Sequence, residues 1–551
     1  MDSLPQTLRR AAVKLASLPG LTLFAILFLA IALAHVTLLR LPYFWDEGGY
    51  YIPAALDFFH RFTLIPEFTN AHPPLPNIVL GTLWHITGYR ILATRLMICA
   101  FAATALLAVF RMVQRLVSPA TAIAVTLLTA LYPIWFAQST LAHADIFAAA
   151  FTLWAFTLYV TATQSTALTD TPAKRTQLWI AVLFSLAALS KETAIVEPAA
   201  LAAMHLVLLI RDRRSLIARR IHATWLLTLS LPLLPLLAWY AYHHHRTGFT
   251  FGNPEYLRYN ATANLSAAHI FISLYYRFLH LAWQRNIWVP IVLTLACLFL
   301  PQRGAKEAQP LQATTLRTIA VLVAANWLAF SILGGALLTR YLLPIYPLIL
   351  LVCVAMWRAR TRRWSWLVAL TGASFFAGLW YSPPTSYAPE DSLTYRDMIV
   401  VHREAIDYIA EHFPDARVLT AWPAAAELSR PDLGYTQRSI KVAPIENFTA
   451  VEVLKARQEP ELFDTALVIT TRYTTPGLRN YLLQHPDSRR GHKFATERDL
   501  SPSEVASILS GKIVWQDDHD GEWAAVIRFS RSYEAALQQP QIATGAPQIG
   551  H

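Results

Sequence analysis

Apolar stretches of roughly 20 residues recur along this sequence from Leu18 almost to Trp380, and there they stop. Folded as a helix, a stretch of that length crosses the about 30 Å of hydrocarbon in a bilayer and satisfies its own backbone hydrogen bonds. Charged residues make up only 15% of the chain, whereas soluble domains carry about 25%. We therefore predict an all-α polytopic membrane domain over residues 1–381 and a separate domain over residues 382–551.

The basic residues are concentrated in short segments between the apolar blocks. A net charge of +11 could indicate a nucleic-acid partner, but the positive-inside rule predicts such clustering in the cytoplasmic loops of a membrane protein. We therefore expect no nucleic-acid partner and assign the basic segments to the cytoplasm. These segments are the N-terminus, Arg111 with Arg115, Lys174 with Arg175, residues 211–220, Arg303 with Lys306, and residues 358–363.

Alternation around these cytoplasmic segments predicts about eleven spans, with the C-terminus outside. Residues 41–90 then form a long outer loop, which includes a juxtamembrane helix over residues 76–84. Residues 178–210 are too long for one span and have basic residues on both flanks, so they are predicted to form two short helices that meet at an outer turn. The other predicted spans cover residues 18–39, 91–110, 120–137, 146–159, 223–242, 287–300, 319–333, 341–357 and 364–380.

Beyond residue 382 the composition becomes that of an ordinary soluble domain. A helical pattern covers residues 395–412, strand patterns cover 417–421 and 466–471, and a hairpin is predicted over 513–529. These patterns predict a small α/β domain. It contains no glycine-rich phosphate loop and no Cys/His set with metal spacing, so we place no chemistry in it. All three cysteines of the chain lie in apolar spans, so no disulfide framework is expected.

Two adjacent carboxylates, Asp46 and Glu47, open the long outer loop just after the first span. Low polarity around a carboxylate raises its basicity, which suits a general base. The neighbouring Tyr50 and Tyr51 could stack on a sugar or hold the loop at the membrane interface. Alternatively the acids only cap the helix that follows, and these residues alone do not decide between the two readings.

Other charged residues fall at outer turns, and each has an ordinary structural explanation when it is taken alone. His72 stands before two prolines that could form a rigid turn, and Asp145 could cap the helix that it starts. Lys191 and Glu192 could neutralise each other, and Arg340 could reach lipid headgroups. The predicted topology nevertheless places all of them on the membrane face that carries the acidic pair, and this convergence predicts a site.

The order of these motifs resembles that of the polyprenyl-phosphate-dependent GT-C glycosyltransferases, in particular protein O-mannosyltransferases and lipid A aminoarabinose transferases. The resemblance covers roughly residues 15–360. It rests on Asp46-Glu47 after the first span, His72-Pro73-Pro74-Leu75 in the outer loop, Asp145, Ser190-Lys191-Glu192-Thr193, and Arg340-Tyr341-Leu342-Leu343-Pro344.

The resemblance implies that a sugar moves from a polyprenyl-phosphate donor to a protein, lipid or glycan acceptor at the outer membrane surface, with inversion at the anomeric carbon. Asp46 would then be the general base, and Glu47 and Asp145 would position donor or acceptor as further catalytic residues. Some relatives use a divalent cation held by acidic residues. The same three acids could hold Mg²⁺ or Mn²⁺ here, although we do not predict a metal.

The resemblance also assigns the substrate contacts. A lipid phosphate leaves readily once cations counter its charge, and this role falls to Lys191, Arg340 and His72. The remaining contacts with substrate fall to Tyr50, Tyr51, Glu192 and Tyr341. The expected location is a bacterial inner membrane, among membrane lipids, with the active face and the C-terminal domain on the periplasmic side.

A transporter or lipid flippase is the main alternative, because charged residues near membrane ends also mark permeation pathways. Such a protein would carry charges near the midplane and paired broken helices. The apolar spans here carry few charges at mid-depth, and the acids collect in an outer loop that is longer than typical connections. A structural scaffold with an exported interaction domain would explain the C-terminal region but not the acids in the loop.

Overall fold

The computed structural model describes most of the chain and divides it into two compact units. Among the described residues, the first unit holds residues 6–380 with 388–395, and the second begins at residue 396. The described residues are 6–66, 72–165, 173–212, 214–252, 266–304, 310–333, 337–380, 388–470, 476–488, 491, 494, 498–519 and 521–529.

The regular structure described in the first unit is helical, and several helices begin at expected start signals. The side chains of Ser118, Ser215 and Ser266 accept hydrogen bonds from main-chain N–H groups in the first turns of the helices that follow them. The helices are α1 (Gln6–Ala16), α2 (Gly20–Ala34), α3 (Ile52–Arg61), α4 (Leu75–Thr87), α5 (Ile91–Leu116), α6 (Pro119–Leu131), α7 (Pro133–Gln138), α8 (Ala144–Ser165), α9 (Lys174–Ser190), α10 (Val196–Arg211), α11 (Leu216–Ser230), α12 (Leu233–Thr247), α13 (Ala267–Ala282), α14 (Trp288–Leu298), α15 (Ala313–Ile332), α16 (Tyr346–Arg360) and α17 (Trp364–Ala377).

Five helical stretches in the described part of the chain are long and apolar enough to cross a membrane, or six when one sharply bent pair is taken as a single span. The five are α5, α8, α10 with the turn before it, α11 together with α12, and α15. Shorter apolar helices are α2, α6 and α17. The prediction of a mostly helical protein with several apolar helices is therefore confirmed, and the number of about eleven spans stays a prediction.

Prolines explain why three predicted spans have different bounds in the structure. The span predicted at residues 120–137 is divided at Pro133, and the span predicted at 223–242 is divided near Pro232, because proline removes a main-chain donor and clashes with the preceding turn. Similarly, the span predicted to begin at residue 341 begins only at Tyr346, after Pro344. Arg340 and Tyr341 consequently lie on a 3-10 turn before the helix rather than inside it.

Helix α13 was not predicted, and it meets α14 at an angle of 93°. The bend lies at Arg285 and Asn286, whose φ angles are +49° and +66°. No proline or glycine marks this position in the sequence, so the pattern gave no sign of a bend. Asn286 tolerates the left-handed conformation better than most residues, and its Nδ2 donates to the main-chain oxygen of Ser374 at 2.7 Å.

Short turns that are not α-helical carry most of the predicted site residues. Trp45, with φ of +36°, leads into a π-helical turn at Glu47–Tyr51, and such turns occur frequently at functional sites. Two 3-10 turns, Glu192–Ile195 and Thr339–Leu342, precede α10 and α16, and a third lies at Pro389–Asp391. These turns place polar side chains at the ends of apolar helices.

The described part of the second unit is a small α/β domain with a five-stranded sheet. This agrees with the α/β domain that the sequence predicts for the C-terminal region. The strands of the sheet are β1 (Arg417–Ala421), β2 (Lys441–Ile445), β3 (Thr465–Ile469), β4 (Lys512–His519) and β5 (Glu522–Arg528). The strand order is β2-β1-β3-β5-β4, with β1 parallel to β2 and β3, and β5 antiparallel to β3 and β4. Strand β2 was not predicted, because it is an edge strand with half-exposed side chains and a proline. The helices are α18 (Thr394–His412), α19 (Ala424–Ser429), α20 (Ala450–Ala456), α21 (Pro476–Gln484) and α22 (Pro502–Ile508).

Candidate active site

Arg340 forms ion pairs with three carboxylates from distant parts of the chain. Its Nη2 donates to Oδ2 of Asp46, its Nη1 donates to Oε1 of Glu390, and its Nε lies 3.4 Å from Oδ2 of Asp145. A guanidinium suits this role because its donors are fixed in one plane and point in several directions. Burial lowers the pKa of Arg340, but the three carboxylates outweigh that effect and hold the pKa well above its usual value. Arg340 therefore stays charged.

Asp145 links Arg340 to a second cation. Nζ of Lys191 donates to Oδ1 of Asp145 at 2.6 Å, and it lies 3.8 Å from the ring centroid of Tyr341, a distance suited to a cation–π contact. Both charged side chains are buried. Two cations and three carboxylates thus form one group, the Arg340 cluster, which consists of Asp46, Asp145, Lys191, Arg340 and Glu390.

Asp46 is the carboxylate of the Arg340 cluster that solvent reaches most easily. Its side chain is 21% exposed, compared with 2% for Asp145 and 8% for Glu390. A general base must come within hydrogen-bonding distance of the group whose proton it removes. Of the three carboxylates, Asp46 is therefore the one best placed to receive a proton from an incoming molecule.

Tyr51 and His72 lie beside the Arg340 cluster. Their rings stack with centroids 5.7 Å apart, and Nδ1 of His72 lies 2.9 Å from Oε2 of Glu192. Burial raises the pKa of Tyr51 well above its usual value, so its hydroxyl remains a neutral hydrogen-bonding group. Tyr50 is half-buried on the same turn. In this arrangement His72 interacts with a carboxylate, rather than standing free for a phosphate.

Glu47, in contrast, is fully buried and bonded within the protein. Its Oε1 accepts hydrogen bonds from Nη1 of Arg95 and from the main-chain nitrogen of Ala142, both at 2.5 Å, and its Oε2 accepts one from the main-chain nitrogen of Phe44 at 2.8 Å. Arg95 also donates to the main-chain oxygen of Thr140 at 2.7 Å. These bonds join the start of the outer loop to α5 and to the turn before α8, so Glu47 holds the segments that carry the neighbouring carboxylates.

Replacing Glu47 by glutamine is therefore expected to lower the stability of the fold. The change leaves the buried Arg95 without its counter-charge, and breaking a buried ion pair from one side costs about 3–5 kcal/mol. Thermal unfolding in detergent would measure the effect, with the exposed Glu411→Gln as the matched control. A Glu47→Gln protein with wild-type thermal stability and no activity would contradict this positioning role and favour direct participation in catalysis.

A small cavity lies against one side of the Arg340 cluster, away from Asp46 and Glu390. This cavity of about 20 Å³ is lined by Asp145, Lys191, Arg340 and Tyr341, among others, and it has room for about one water molecule. A sugar phosphate does not fit into this cavity as it stands.

The predicted acids can also be tested for their fit to a metal. Oxygens of Asp46 and Asp145 are paired with Arg340 and Lys191, and both oxygens of Glu47 accept hydrogen bonds from donors of the protein. A divalent cation would meet these cations at close range and would find the oxygens of Glu47 already bonded. As arranged here, the three acids do not fit a Mg²⁺ or Mn²⁺ ion.

Three charged residues at the site were missed in the sequence. Arg95 carried a signal, because it is a lone charged residue inside the predicted span 91–110 and such a charge needs a partner. Glu390 and Asp391 carried no such signal, since they lie past the last apolar helix, where the sequence predicts a soluble domain.

The structure does bring together five of the predicted residues, with three more beside them: Asp46, Asp145, Lys191, Arg340 and Tyr341, and then Tyr51, His72 and Glu192.

Solved structures with a similar fold are GT-C glycosyltransferases. ArnT from Cupriavidus metallidurans bound to undecaprenyl phosphate is 15% identical, with a TM-score of 0.52 over 94% of this chain and 99% of that one. The same protein in the apo state gives a TM-score of 0.52 at 15% identity, over 95% of this chain and all of that one (100%). The archaeal oligosaccharyltransferase AglB from Archaeoglobus fulgidus is more distant, with 10% identity and a TM-score of 0.44 over 91% and 74% of the two chains. The likeness to ArnT defines the class of fold.

A sequence profile then identifies the family. The profile of the Alg9-like mannosyltransferase family matches residues 21–424, which is most of the chain, and the chain belongs to that family. No curated protein matches the sequence. The resemblance to GT-C glycosyltransferases that the motifs predicted is thus confirmed, and the protein is a membrane glycosyltransferase of this class. The matched region includes every member of the Arg340 cluster.

Proposed function

We propose that this protein transfers a sugar from a polyprenyl-phosphate donor to an acceptor at the non-cytoplasmic face of the membrane, with inversion at the anomeric carbon. The family description names mannosyl transfer, so mannose is the first donor sugar to test. The ArnT structure of the same fold is described with undecaprenyl phosphate bound, which supports a lipid phosphate as the leaving group. The acceptor is a protein, a lipid or a glycan.

The observation that carries this proposal is the meeting of a partly exposed carboxylate with two buried cations. Asp46 and Arg340 are separated by 294 residues, and Asp145 and Lys191 by 46 residues, yet they form one cluster. Glycosyl transfer from a phosphate needs a base at the acceptor, positive charge at the leaving group and correct positioning of both. The Arg340 cluster supplies the first two within one group of contacts.

In the proposed reaction, an acceptor hydroxyl attacks the anomeric carbon of the donor sugar while its proton moves to the carboxylate of Asp46. The new bond forms on the face opposite the phosphate, so the configuration at that carbon is inverted. The bond between the anomeric carbon and the phosphate oxygen breaks, and its electron pair stays on the oxygen. The products are the glycosylated acceptor and the polyprenyl phosphate.

The departing phosphate gains negative charge as its bond to the sugar breaks. Lys191 and Arg340 would stabilise this charge, and they act strongly because they are buried and held in place before the reaction. Asp145 contacts both cations and keeps them at a fixed spacing. In this mechanism Asp145 positions the phosphate-binding groups, while Asp46 takes the proton.

The predicted topology supports the sidedness of the proposal. The positive-inside rule assigns the basic segments to the cytoplasm, which leaves the loop with Asp46 and the turns with Asp145, Lys191 and Arg340 on the opposite face. We place that face, and the C-terminal domain with it, on the periplasmic side of a bacterial inner membrane. A donor carried by a membrane lipid reaches such a site by diffusing within the bilayer.

Purified protein in detergent is expected to transfer labelled mannose from polyprenyl-phosphate mannose to an acceptor or to water, and not from a nucleotide sugar. The lipid donor matches buried cations at the end of apolar helices, whereas the described chain has no nucleotide-binding loop. Release of polyprenyl phosphate from a panel of lipid-linked sugars would measure the reaction. Turnover with a nucleotide sugar alone would contradict the proposal, and movement of the intact lipid across vesicle membranes without cleavage would favour a flippase.

A further inference from the structure

The short 3-10 turn Pro389–Asp391, after the last apolar helix, binds the turn that carries Arg340. Oε1 of Glu390 accepts a hydrogen bond from Arg340, and Oδ1 of the adjacent Asp391 accepts one from the hydroxyl of Thr339. Both carboxylates are buried. Two neighbouring acids on one 3-10 turn thus hold two neighbouring residues on another.

The same segment is fixed to the core of the first unit. The main-chain nitrogen of Leu393 donates to the oxygen of Leu379 at 3.1 Å, and the hydroxyl of Tyr395 lies 3.1 Å from Oγ1 of Thr140. The ring of Tyr395 also meets Phe44 edge-on, at a centroid distance of 5.7 Å. Glu390 is therefore held near Arg340 by the packing of the residues that follow it.

The charges of the Arg340 cluster do not balance for donor binding. Within the cluster three carboxylates face two cations. Around it, Asp391 and Glu192 add negative charge, and the buried Arg277 and Arg285 add positive charge. In surroundings of low polarity, uncompensated like charges repel strongly. A donor phosphodiester at Arg340 would meet the carboxylates that contact it, and this repulsion falls when one of them loses its charge or leaves.

Glu390 is the carboxylate best suited to lose its charge. Burial raises its pKa to about 7, against the lowering effect of Arg340, and the negative charges of Asp46 and Asp391 add to the rise. From α7, the neutral Gln138 donates to the main-chain oxygen of Glu390 at 3.5 Å. Asp46 is needed as an ionised base in the proposed reaction, and Asp145 is needed between the two cations.

We propose that Glu390 is an exchangeable partner of Arg340. While the donor is absent, the carboxylate of Glu390 binds the guanidinium. When the donor binds, this carboxylate takes up one proton from solution and leaves Arg340, which then binds the donor phosphate. This inference rests on the proposed function, because it assumes that the donor phosphate meets Arg340. Glu390 acts through Arg340 and is a positioning residue. The exchange would free the Nη1 donor of Arg340 that Glu390 occupies, so that it can bind the phosphate.

The test is the pH dependence of donor affinity. The probe is polyprenyl-phosphate mannose in detergent, whose phosphodiester does not titrate between pH 6 and 9, so a change in affinity reports on the protein. Below pH about 7 Glu390 already carries its proton, and the affinity of the wild type is expected to be constant. At higher pH the proton must be taken up on binding, so the affinity is expected to fall by up to about tenfold per pH unit.

In Glu390→Gln the affinity is expected to stay near the acid-side value of the wild type at every pH. The exposed Glu411→Gln is the matched control and keeps the wild-type profile. Calorimetry of the wild type in two buffers of different ionisation enthalpy gives the number of protons taken up at pH about 8, and it requires no variant. An unchanged pH profile in Glu390→Gln, or no proton uptake by the wild type, would overturn the inference.

These outcomes differ from a failure of the proposed function. If the wild type neither binds nor cleaves any polyprenyl-phosphate sugar at any pH, the proposed function itself is wrong. If it binds and cleaves the donor without a dependence on Glu390, only the exchange is wrong.

Discussion

Asp46→Asn is expected to reduce sugar transfer by about 10²–10⁴-fold, the usual contribution of a general base, while the protein stays folded. Asparagine has the shape of aspartate and can still accept a hydrogen bond from Arg340, but it cannot take a proton from the acceptor. The change also removes a negative charge beside Arg340. The fall is therefore expected in kcat, with the KM for the donor unchanged or lower.

Initial rates with labelled polyprenyl-phosphate mannose would measure this effect, together with thermal unfolding of the same preparation. Asp407→Asn is the matched control, because Asp407 is an exposed aspartate in the second unit and 63% of its side chain is accessible. Wild-type turnover in Asp46→Asn would rule out Asp46 as the base.

Arg340→Met is expected to damage both stability and donor binding. The substitution leaves Asp46, Asp145 and Glu390 without their shared cation, and removing one partner from a buried ion pair costs about 3–5 kcal/mol. The apolar side chain also withdraws one of the two charges proposed to bind the phosphate. We expect a lower unfolding temperature in detergent and a loss of binding to polyprenyl-phosphate mannose.

Arg340→Lys separates the two effects. Lysine keeps the charge but offers a single ammonium, which cannot reach three carboxylates in the manner of a planar guanidinium. The stability of the Arg340→Lys protein is expected to lie between those of the wild type and Arg340→Met, and its rate of sugar transfer is expected to stay below that of the wild type. The exposed Arg403→Met controls for loss of a surface arginine. Donor affinity at the wild-type level in Arg340→Met would disprove the phosphate-binding role.

The meeting of the charged residues could be predicted from the sequence because it depends only on the order of basic loops and apolar spans, and the membrane face that they occupy stays a prediction. That order places Asp46, Asp145, Lys191 and Arg340 at the ends of spans on one side, and the structure brings these residues into contact. Helix ends were predicted less well, since a proline such as Pro344 moves the start of a helix by several residues.

The pairing of charges could not be predicted, because it depends on positions in space rather than in sequence. Lys191 and Glu192 are neighbours in the chain and looked like a self-compensating pair. In the structure Lys191 binds Asp145 and Glu192 binds His72, because consecutive residues point in different directions. The contact between Glu390 and Arg340 could not be predicted either, since nothing in the soluble-like sequence around Glu390 marks a partner 50 residues earlier.

The separation between Asp46 and Arg340 also constrains how the chain is synthesised. Asp46 leaves the ribosome 294 residues before Arg340, and Glu390 follows Arg340 by 50 more. A carboxylate without a partner is too unfavourable in apolar surroundings to be buried in its ionised form. The nascent protein must therefore keep Asp46 in water or protonated while the intervening helices are inserted, and the cluster can close only after residue 390 has been synthesised.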